Sequence, residues 1–201
     1  KTVAVTAGYI EPEPLQELQA HLDAANVDLK AFTEKFYGKI CFAELGPVLE
    51  TLSWLKRETT VWFEITTLLI PGENDSEDEV ARLSDWVFDH LGPDVPLHFT
   101  AFHPDFKMLE KPRTPSVTLE RARAQAKKAG IHHVYTGNVR DVQGQSTWCS
   151  GCGALLVERD GYELGKWGIE EGACGSCSLP VPGHYAAVAG TWGSRRQPVR
   201  I

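Results

Sequence analysis

Positive charge is scarce in this chain, which has 20 lysine and arginine residues against 27 acidic ones and a formal net charge of -7. A surface that binds nucleic acid or another polyanion needs clustered lysine and arginine, and the sequence contains no long block of either. No apolar run approaches the roughly 20 residues of a membrane-spanning helix, and the first residues carry no basic-then-apolar export signal. We therefore expect a cytosolic protein without a nucleic-acid or membrane partner.

Cysteine is also sparse, yet four of the five cysteines form two Cys-x-x-Cys pairs, Cys149 with Cys152 and Cys174 with Cys177. A two-residue spacer lets the chain turn so that both sulfurs face one point, and the two pairs together offer the four thiolates of a tetrahedral metal site. Two disulfides are the alternative, which a reducing compartment disfavours. The fifth cysteine, Cys41, lies in an apolar context and is expected to be an unreactive buried thiol.

Zinc is the expected metal of this four-cysteine site, and a single iron in a rubredoxin-like site remains open. Four protein ligands leave no coordination position for water or substrate, so the metal is expected to stabilise the fold rather than to catalyse. Gly151, Gly153 and Gly175 are expected to supply the backbone angles that such turns require.

Before the cysteine-rich segment, strand patterns and helix patterns alternate along the chain. The 42% hydrophobic content is enough for one core and a small appendage. Strand patterns cover residues 3–7, 27–30, 61–70, 96–102 and 133–136. Helix patterns cover residues 15–22, 31–39, 48–55, 76–91 and 119–129. The alternation predicts an α/β domain with a parallel sheet over residues 1–140, followed by a four-cysteine unit and tail over residues 141–201.

A barrel segment and an open doubly wound sheet both fit this alternation, and both place a functional site at the carboxyl ends of the strands. Residues 61–70 are apolar enough to indicate a strand that is covered on both faces. Ser76 and Glu79 predict a capping box at the start of the helix that Gly92 ends. The long segment 104–115 is expected to cover the carboxyl end of the sheet as a loop.

Polar side chains interrupt the second strand pattern. Asn26, Asp28 and Lys30 alternate with apolar residues, so all three leave one face of the strand. In a parallel sheet such a face indicates a lumen or a cleft, and a solvated strand end is the alternative. Lys30 could bind a carboxylate there, and Asp28 an amine, a hydroxyl or a cation. Glu64, on the next strand, is expected to pair with Lys30.

Three further candidate residues lie at strand ends. Thr6 and Gly8 end the first strand, where a hydroxyl and a bare backbone can approach a ligand, although ordinary turn chemistry explains them equally well. His103 ends the fourth strand, and structural hydrogen bonding is the alternative to a site role there. His98 lies an odd number of positions before His103, so its side chain is expected to face the other side of the sheet.

Four motifs together resemble one known family. They are NVDLKAF at 26–32, LIPGEND at 69–75, FHPDF at 102–106 and CSGCG at 149–153. In this order they resemble the carboxyl-terminal portion of the AmmeMemoRadiSam-system radical SAM enzymes, relatives of the pyruvate formate-lyase activating enzymes. The resemblance covers nearly the whole chain.

The resemblance implies a partial (βα) barrel that holds a [4Fe-4S] cluster and S-adenosylmethionine, followed by a zinc-ribbon-like extension with the four paired cysteines. It implies that S-adenosylmethionine contacts a set of strand-end residues, namely Thr6, Gly8, Asp28, Lys30 and His103. Ala7 stands where the family usually has asparagine. The resemblance also implies an association with other proteins of the AmmeMemoRadiSam system, and it leaves the substrate open, a protein among the candidates.

One family feature is missing from the sequence. The radical chemistry of the family depends on a Cys-x-x-x-Cys-x-x-Cys loop that binds the cluster, and this chain has neither that loop nor the Gly-Gly-Glu strand that usually follows it. The chain also enters an apolar strand at residue 3, so we expect it to be cut from a longer protein. The catalytic cysteines are therefore unknown, and we expect the chain alone to be inactive.

The leading hypothesis is a fragment of a radical SAM enzyme that lacks its first βα units. Its parent would cleave S-adenosylmethionine reductively to a 5′-deoxyadenosyl radical. A non-catalytic scaffold that binds a partner through the four-cysteine unit is the alternative. A Schiff-base enzyme that uses Lys30 is a third hypothesis, which Asp28 disfavours because a neighbouring carboxylate keeps the lysine charged.

Overall fold

The computed structural model describes residues 1–190. The chain forms two compact units, Lys1–Val139 and a second unit that begins at Arg140. Residues 191–201, which the sequence analysis grouped with the four-cysteine unit as its tail, lie outside the described residues. No helix among residues 1–190 is both long enough and apolar enough to cross a membrane. The two units are described separately below.

The first unit is a parallel sheet of five strands in the order β1-β2-β3-β4-β5. The strands are β1 (Val3–Thr6), β2 (Ala24–Asp28), β3 (Trp62–Leu69), β4 (Leu97–Ala101) and β5 (Val134–Gly137). The helices between them are α1 (Pro12–Gln19), α2 (Glu34–Phe36) with a π-helical turn (Tyr37–Cys41), α3 (Leu45–Glu58), α4 (Glu77–Leu91) and α5 (Ser116–Lys128). The predicted alternation and parallel pairing are confirmed.

The strand order runs without a reversal, whereas a doubly wound sheet reverses its order at a switch point. With right-handed crossovers, such an order places all connecting helices on one face of the sheet. Within residues 1–190, β1 and β5 pair only with β2 and β4 respectively, so the sheet is open at both edges. The doubly wound alternative is therefore wrong.

The core lies on the face of the sheet that the helices cover. Alternate strand residues such as Val27, Ile65 and Phe99 are fully buried there against helical side chains. Their neighbours point to the opposite face, where Leu68 is 38% exposed and most others are half-buried. The prediction that residues 61–70 are covered on both faces is wrong, because every second position on β3 is a half-buried or exposed side chain.

Helix α4 follows the predicted signals, with one exception. Ser76 Oγ accepts a hydrogen bond of 3.2 Å from the Glu79 backbone N–H, and Gly92 ends the helix at a φ of 83°. The Glu79 carboxylate does not complete the capping box, because it accepts a 2.7 Å hydrogen bond from the Phe32 backbone N–H instead. Burial raises the pKa of this carboxyl group.

The segment 104–115 returns to the carboxyl end of the sheet, as predicted. The buried Thr114 hydroxyl donates a 2.5 Å hydrogen bond to the Leu69 carbonyl and accepts one of 2.9 Å from the Phe102 N–H. Lys111 forms a 2.6 Å ion pair with Glu73, which follows β3. The segment is thereby attached to the ends of β3 and β4.

The second unit is small and largely antiparallel. A short helix α6 (Val142–Gln145) precedes a three-stranded sheet of β6 (Thr147–Trp148), β7 (Leu155–Asp160) and β8 (Glu163–Trp167) and a two-stranded pair of β9 (Ile169–Glu170) and β10 (Ala173–Cys174). A separate apolar cluster forms its interior, made of Cys149, Leu156, Val157, Ile169, Cys174 and Val181. Two of the four paired cysteines are therefore part of the core of this unit.

Candidate functional site

The carboxyl end of β2 carries a charge pair. Lys30 Nζ lies 2.8 Å from Asp28 Oδ2, and both side chains are more than one third exposed. The Lys30 backbone is fixed on both sides, since its N–H donates to the Tyr37 hydroxyl at 3.1 Å and its carbonyl accepts from Asn74 Nδ2 at 2.7 Å. Burial raises the pKa of Tyr37 to about 12, so its hydroxyl stays neutral.

Asn74 is a positioning residue that the sequence analysis did not single out. Its buried side chain donates to the carbonyls of Lys30 and Leu68, at 2.7 and 2.9 Å, and accepts a 2.7 Å bond from the Ile70 N–H. It therefore joins the carboxyl ends of β2 and β3. The sequence signal for this role was the position of Asn74 in the LIPGEND segment. A polar residue just after a buried strand needs hydrogen-bond partners for its side-chain amide.

Thr6 and Gly8 do not join Asp28 and Lys30 on one face. The register pairs Thr6 with Val27, so the Thr6 side chain lies on the helix-covered side of the sheet. Its hydroxyl accepts a 3.1 Å hydrogen bond from the Gly8 N–H. Gly8 has a φ of 67°, and a Cβ there would meet Val27 Cγ1 at 2.8 Å. The geometry explains both residues by turn conformation and packing.

His103 lies in the segment after β4, where it is exposed. Its Nδ1 forms a 2.9 Å hydrogen bond with the carbonyl of Pro104, its neighbour in sequence. The structure therefore gives His103 a local backbone contact, and its place in a ligand site stays a prediction.

A row of polar side chains crosses the face opposite the helices. The register aligns Asp28, Thr66, His98 and Tyr135 on four adjacent strands. His98 Nε2 lies 2.6 Å from Glu64 Oε2, and its ring stacks on Tyr135 with centroids 4.9 Å apart. The polar face that Asn26, Asp28 and Lys30 predicted thus extends across the strands from β2 to β5.

The predicted Glu64–Lys30 pair is wrong. Glu64 is in register with Asn26, two pairing positions before Asp28 meets Thr66, so Lys30 lies too far along the strand. Glu64 instead contacts His98, on the adjacent strand, and accepts a 3.2 Å hydrogen bond at Oε1 from the Trp62 indole N–H.

The four paired cysteines converge in the second unit. All four sulfurs lie within 4.8 Å of one another, with Cys149 and Cys177 sulfurs 3.6 Å apart and those of Cys152 and Cys174 3.7 Å apart. These distances are far longer than the roughly 2.05 Å of a disulfide. They match the edges of about 3.8 Å that four metal–sulfur bonds of about 2.3 Å make in a tetrahedron. The group could therefore hold one metal ion.

The two cysteine turns share one backbone conformation. The Gly153 N–H bonds the Cys149 carbonyl at 3.0 Å, and the Ser178 N–H bonds the Cys174 carbonyl at 2.8 Å. Gly153 has a φ of 72° and Ser178 one of 61°. Of the three glycines expected to have unusual angles, only Gly153 has a positive φ. For Gly151 and Gly175 the geometry gives another reason, because a Cβ would lie within 3 Å of the Leu179 and Glu170 side chains respectively.

Backbone hydrogen-bond donors lower the pKa of two of these thiols, and the neighbouring sulfurs raise the pKa of a third. The Cys152 N–H lowers the pKa of the Cys149 thiol, and the Ser176 N–H lowers that of Cys174 to about 6. For Cys177 the Leu179 N–H acts in the same direction, but the neighbouring sulfurs outweigh it and raise the pKa to about 12. Four close sulfurs cannot all be anionic without a cation between them, and a bound metal would supply that charge.

The donor set of this chain does not fit an iron–sulfur cluster next to the charge pair. A [4Fe-4S] cluster is held by several thiolates, whereas Cys41 is the one cysteine in the sequence before residue 149. Cys41 is half-buried, and burial raises its pKa. The other four sulfurs already face one another in the second unit.

The charge pair does fit the amino-acid portion of S-adenosylmethionine. That portion is a zwitterion, with an ammonium group for Asp28 to accept from and a carboxylate for Lys30 to donate to. Both side chains are partly exposed at the carboxyl edge of the sheet, where ligands of parallel α/β folds bind.

The chain has a longer relative among known proteins. No protein-family model matches the chain. The sequence is 46% identical over 157 residues to Uncharacterized protein MJ0808 of Methanocaldococcus jannaschii, a match that covers 78% of this chain and 46% of that protein. The chain therefore spans about half the length of the curated relative it matches.

Two solved structures are similar to the chain. A domain of pyruvate-formate lyase-activating enzyme from Bacteroides vulgatus aligns with a TM-score of 0.59 at 14% identity, over 67% of this chain and 80% of that domain. A radical SAM methyltransferase from Sphaerobacter thermophilus aligns with a TM-score of 0.55 at 17% identity, over 76% of this chain and 43% of that enzyme. The chain therefore has a radical SAM-like fold.

Proposed function

We propose that this chain is the carboxyl-terminal portion of a radical SAM enzyme and that it supplies part of the binding site for S-adenosylmethionine. The Asp28–Lys30 pair is the observation that carries the proposal, because it places opposite charges 2.8 Å apart at the edge of the sheet where ligands of such folds bind. The radical SAM-like fold supports it. Lys30 binds the carboxylate of the methionyl group, and Asp28 binds its ammonium group.

The [4Fe-4S] cluster belongs, in this proposal, to residues of the parent protein outside this 201-residue sequence. With the cluster in place, the whole protein cleaves S-adenosylmethionine reductively to a 5′-deoxyadenosyl radical. The match to a longer curated relative, of which this chain covers 46%, supports a longer parent. The five strands then form part of a (βα) barrel whose inner wall is the polar face of the sheet, and the missing βα units complete it.

Several finer features belong to the same proposal. The family is that of the AmmeMemoRadiSam-system radical SAM enzymes, acting in the cytoplasm with other proteins of that system. The four-cysteine unit is a zinc-ribbon-like extension, whose metal stabilises the unit and takes no part in the reaction, because four protein thiolates would fill its coordination positions. Of the residues that the resemblance implies, Asp28 and Lys30 contact the amino-acid portion of the ligand in this proposal, and Thr6, Gly8 and His103 stay predictions.

The whole-protein proposal is tested by extending the chain along its natural reading frame. The extended protein should contain a Cys-x-x-x-Cys-x-x-Cys loop and, after anaerobic reconstitution with iron, sulfide and a reductant, should convert S-adenosylmethionine to 5′-deoxyadenosine. The 201-residue chain under the same treatment should yield neither a [4Fe-4S] spectrum nor this product. A start codon immediately upstream of the codon for Lys1, or cluster formation in the short chain, would contradict the proposal.

The role of the charge pair is tested in the extended protein by titration calorimetry with S-adenosylmethionine. Lys30→Gln and Asp28→Asn should each weaken binding by about tenfold, the effect of losing one charge-assisted hydrogen bond. Lys128→Gln and Asp85→Asn remove the same charges from exposed positions on α5 and α4 and should leave the affinity unchanged. If the control variants weakened binding as much as the Lys30 and Asp28 variants do, Asp28 and Lys30 would not be ligand contacts.

A further inference from the structure

One leucine interrupts the polar face of the sheet beside the candidate ligand pair. Leu68, on β3, follows Thr66 on the same face, and its side chain is 38% exposed. Thr66 is in register with Asp28 on β2, so Leu68 lies one step further toward the carboxyl edge, as Lys30 does after Asp28. An exposed apolar side chain therefore adjoins the Asp28–Lys30 pair.

A shared hydrogen-bond donor shows that Lys30 and Leu68 are neighbours, although β2 itself ends at Asp28. Asn74 Nδ2 donates to the Lys30 carbonyl at 2.7 Å and to the Leu68 carbonyl at 2.9 Å. Adjacent strands are about 4.8 Å apart, which is roughly the reach of a butyl chain. A small molecule whose charged groups meet Asp28 and Lys30 can therefore extend its side chain over Leu68.

The side chains beyond Leu68 in the same row are small. Leu68 is in register with Thr100 on β4, and Thr100 is in register with Gly137 on β5. Gly137 has no side chain, and Thr100 Cγ2 lies 2.7 Å from the place where a Cβ of Gly137 would be. The row thus becomes smaller from β3 to β5, so no large or charged side chain of this row covers the exposed side of Leu68.

The charge pair and the leucine favour different parts of one ligand. Asp28 and Lys30 present opposite charges 2.8 Å apart, which suit the ammonium and carboxylate groups of a zwitterion. Covering an exposed leucine with apolar atoms removes both from water and is favourable. Small-molecule sites commonly combine an apolar surface with a few polar groups that fix the orientation of the ligand. An α-amino acid with an apolar side chain has both parts at the required spacing.

We propose that Leu68 is a specificity-determining residue, which packs against the side chain of an α-amino acid group held by Asp28 and Lys30. The ligand class is an α-amino acid with an apolar side chain. In S-adenosylmethionine, the methylene groups between the α-carbon and the sulfur take this place. The inference rests on the proposed function, since it uses the same charge pair. It adds discrimination between side chains, which the charge pair alone does not supply.

The test compares L-norleucine with glycine, which carry the same zwitterion and differ by a butyl chain. Each is titrated into the isotope-labelled 201-residue chain, and the Lys30 side-chain and Leu68 methyl signals are followed by nuclear magnetic resonance. Norleucine should shift both sets of signals along one saturation curve, whereas glycine should shift those of Lys30 only. Norleucine should bind about tenfold more tightly than glycine, as expected when about half of its butyl chain is buried.

Leu68→Ala removes most of the apolar surface. It should reduce the preference for norleucine over glycine to within about threefold and leave glycine binding within about twofold of the unmodified chain. Leu68→Met keeps an apolar side chain of similar volume and should retain the preference. Leu18→Ala is the matched control, because Leu18 is 41% exposed on α1 and should not affect either probe. Thermal unfolding shows whether each variant is folded.

Three results would each overturn the inference: equal affinity for norleucine and glycine in the unmodified chain, a full preference in Leu68→Ala, or no saturable shift with norleucine. The first and third need no variant. The proposed cofactor binding is decided separately, by the calorimetry of the Lys30 and Asp28 variants with S-adenosylmethionine. If those variants weaken cofactor binding while norleucine and glycine bind alike, the proposed function stands and the role of Leu68 fails.

Discussion

The Asn74 side chain donates a 2.7 Å hydrogen bond to the backbone carbonyl of Lys30, a residue 44 positions earlier in the chain. The same buried amide also bonds the Leu68 carbonyl and the Ile70 N–H. One side chain thus satisfies three backbone groups at the ends of two strands. The position of Lys30 at the candidate site depends on it.

Replacing Asn74 should therefore destabilise the first unit. Asn74→Ala leaves three backbone groups without their partner, and we expect a loss of about 2–3 kcal/mol in the free energy of unfolding, measured by urea denaturation. Asn26→Ala is the matched control, because the Asn26 side chain is half-buried with no described hydrogen bond, and it should cost less than about 1 kcal/mol. Equal losses for the two variants would show that the three bonds of Asn74 contribute little.

Removing the negative charge of Glu79 should not destabilise the folded protein at pH 7. Its pKa is raised by burial, so the folded state holds the proton more tightly than the unfolded state does, and ionisation costs stability as pH rises through the folded pKa. Gln in its place can still accept from the Phe32 N–H without a charge. Glu79→Gln should therefore be at least as stable as the unmodified protein at pH 7. The difference should shrink as pH falls through the folded pKa and be smallest below about 4.5, where both the folded and the unfolded state hold the proton.

Glu79→Ala provides the contrast, since it removes the acceptor as well as the charge. It should be less stable than Glu79→Gln by about 1–3 kcal/mol in denaturant titrations at pH 7. If both variants lost the same stability, the hydrogen bond to Phe32 would have no energetic role.

His133 should make the protein sensitive to mild acid. The side chain is 5% exposed, its Nε2 has no partner among residues 1–190, and burial lowers its pKa. The unfolded state then binds a proton that the folded state does not, so stability falls as pH drops below about 6.5 and continues to fall down to the folded pKa. One such proton changes the free energy of unfolding by up to about 1.4 kcal/mol per pH unit.

His133→Leu should remove most of this slope, which is obtained from urea midpoints between about pH 5 and pH 7.5. His21→Gln, at an exposed position, should leave it unchanged. An identical slope in the His133 variant would assign the acid sensitivity to other groups.

The four-cysteine group should bind one metal ion per chain, as measured by elemental analysis of the purified protein. Cys174→Ser removes a ligand in the core of the second unit and should reduce the bound metal to less than about one fifth and lower the thermal unfolding temperature of that unit. Cys41→Ser should keep the full metal content, because Cys41 lies outside the group. A metal-free but fully folded second unit would contradict the structural role.

Element order and the metal group could be predicted from the sequence because both are local. The alternation of apolar runs indicated five strands, and the helix that starts after Ser76 was recognisable from its cap and from the spacing of Val80 and Leu83. The two-residue spacers between cysteines limit the geometry in the same way. Such signals depend on residues within a few positions of each other.

Pairings between strands were harder, because they depend on register. Lys30 was expected to pair with Glu64, yet the register puts Asn26 opposite Glu64 and leaves His98 as the neighbour. The capping role of Glu79 failed for a similar reason, since the Phe32 N–H arrives from 47 positions away. Periodicity gives the face of a side chain, and only the folded sheet gives its neighbours.

The sheet grows in one direction, with every strand after β1 hydrogen-bonded to the strand before it in the sequence. Each added β/α unit therefore docks on a surface that its predecessors have already formed, and the loop it must close is only one crossover long. A gene can lengthen such a molecule by whole β/α units at β1 or β5 and leave every existing pairing unchanged. In this sense the five-stranded unit is modular.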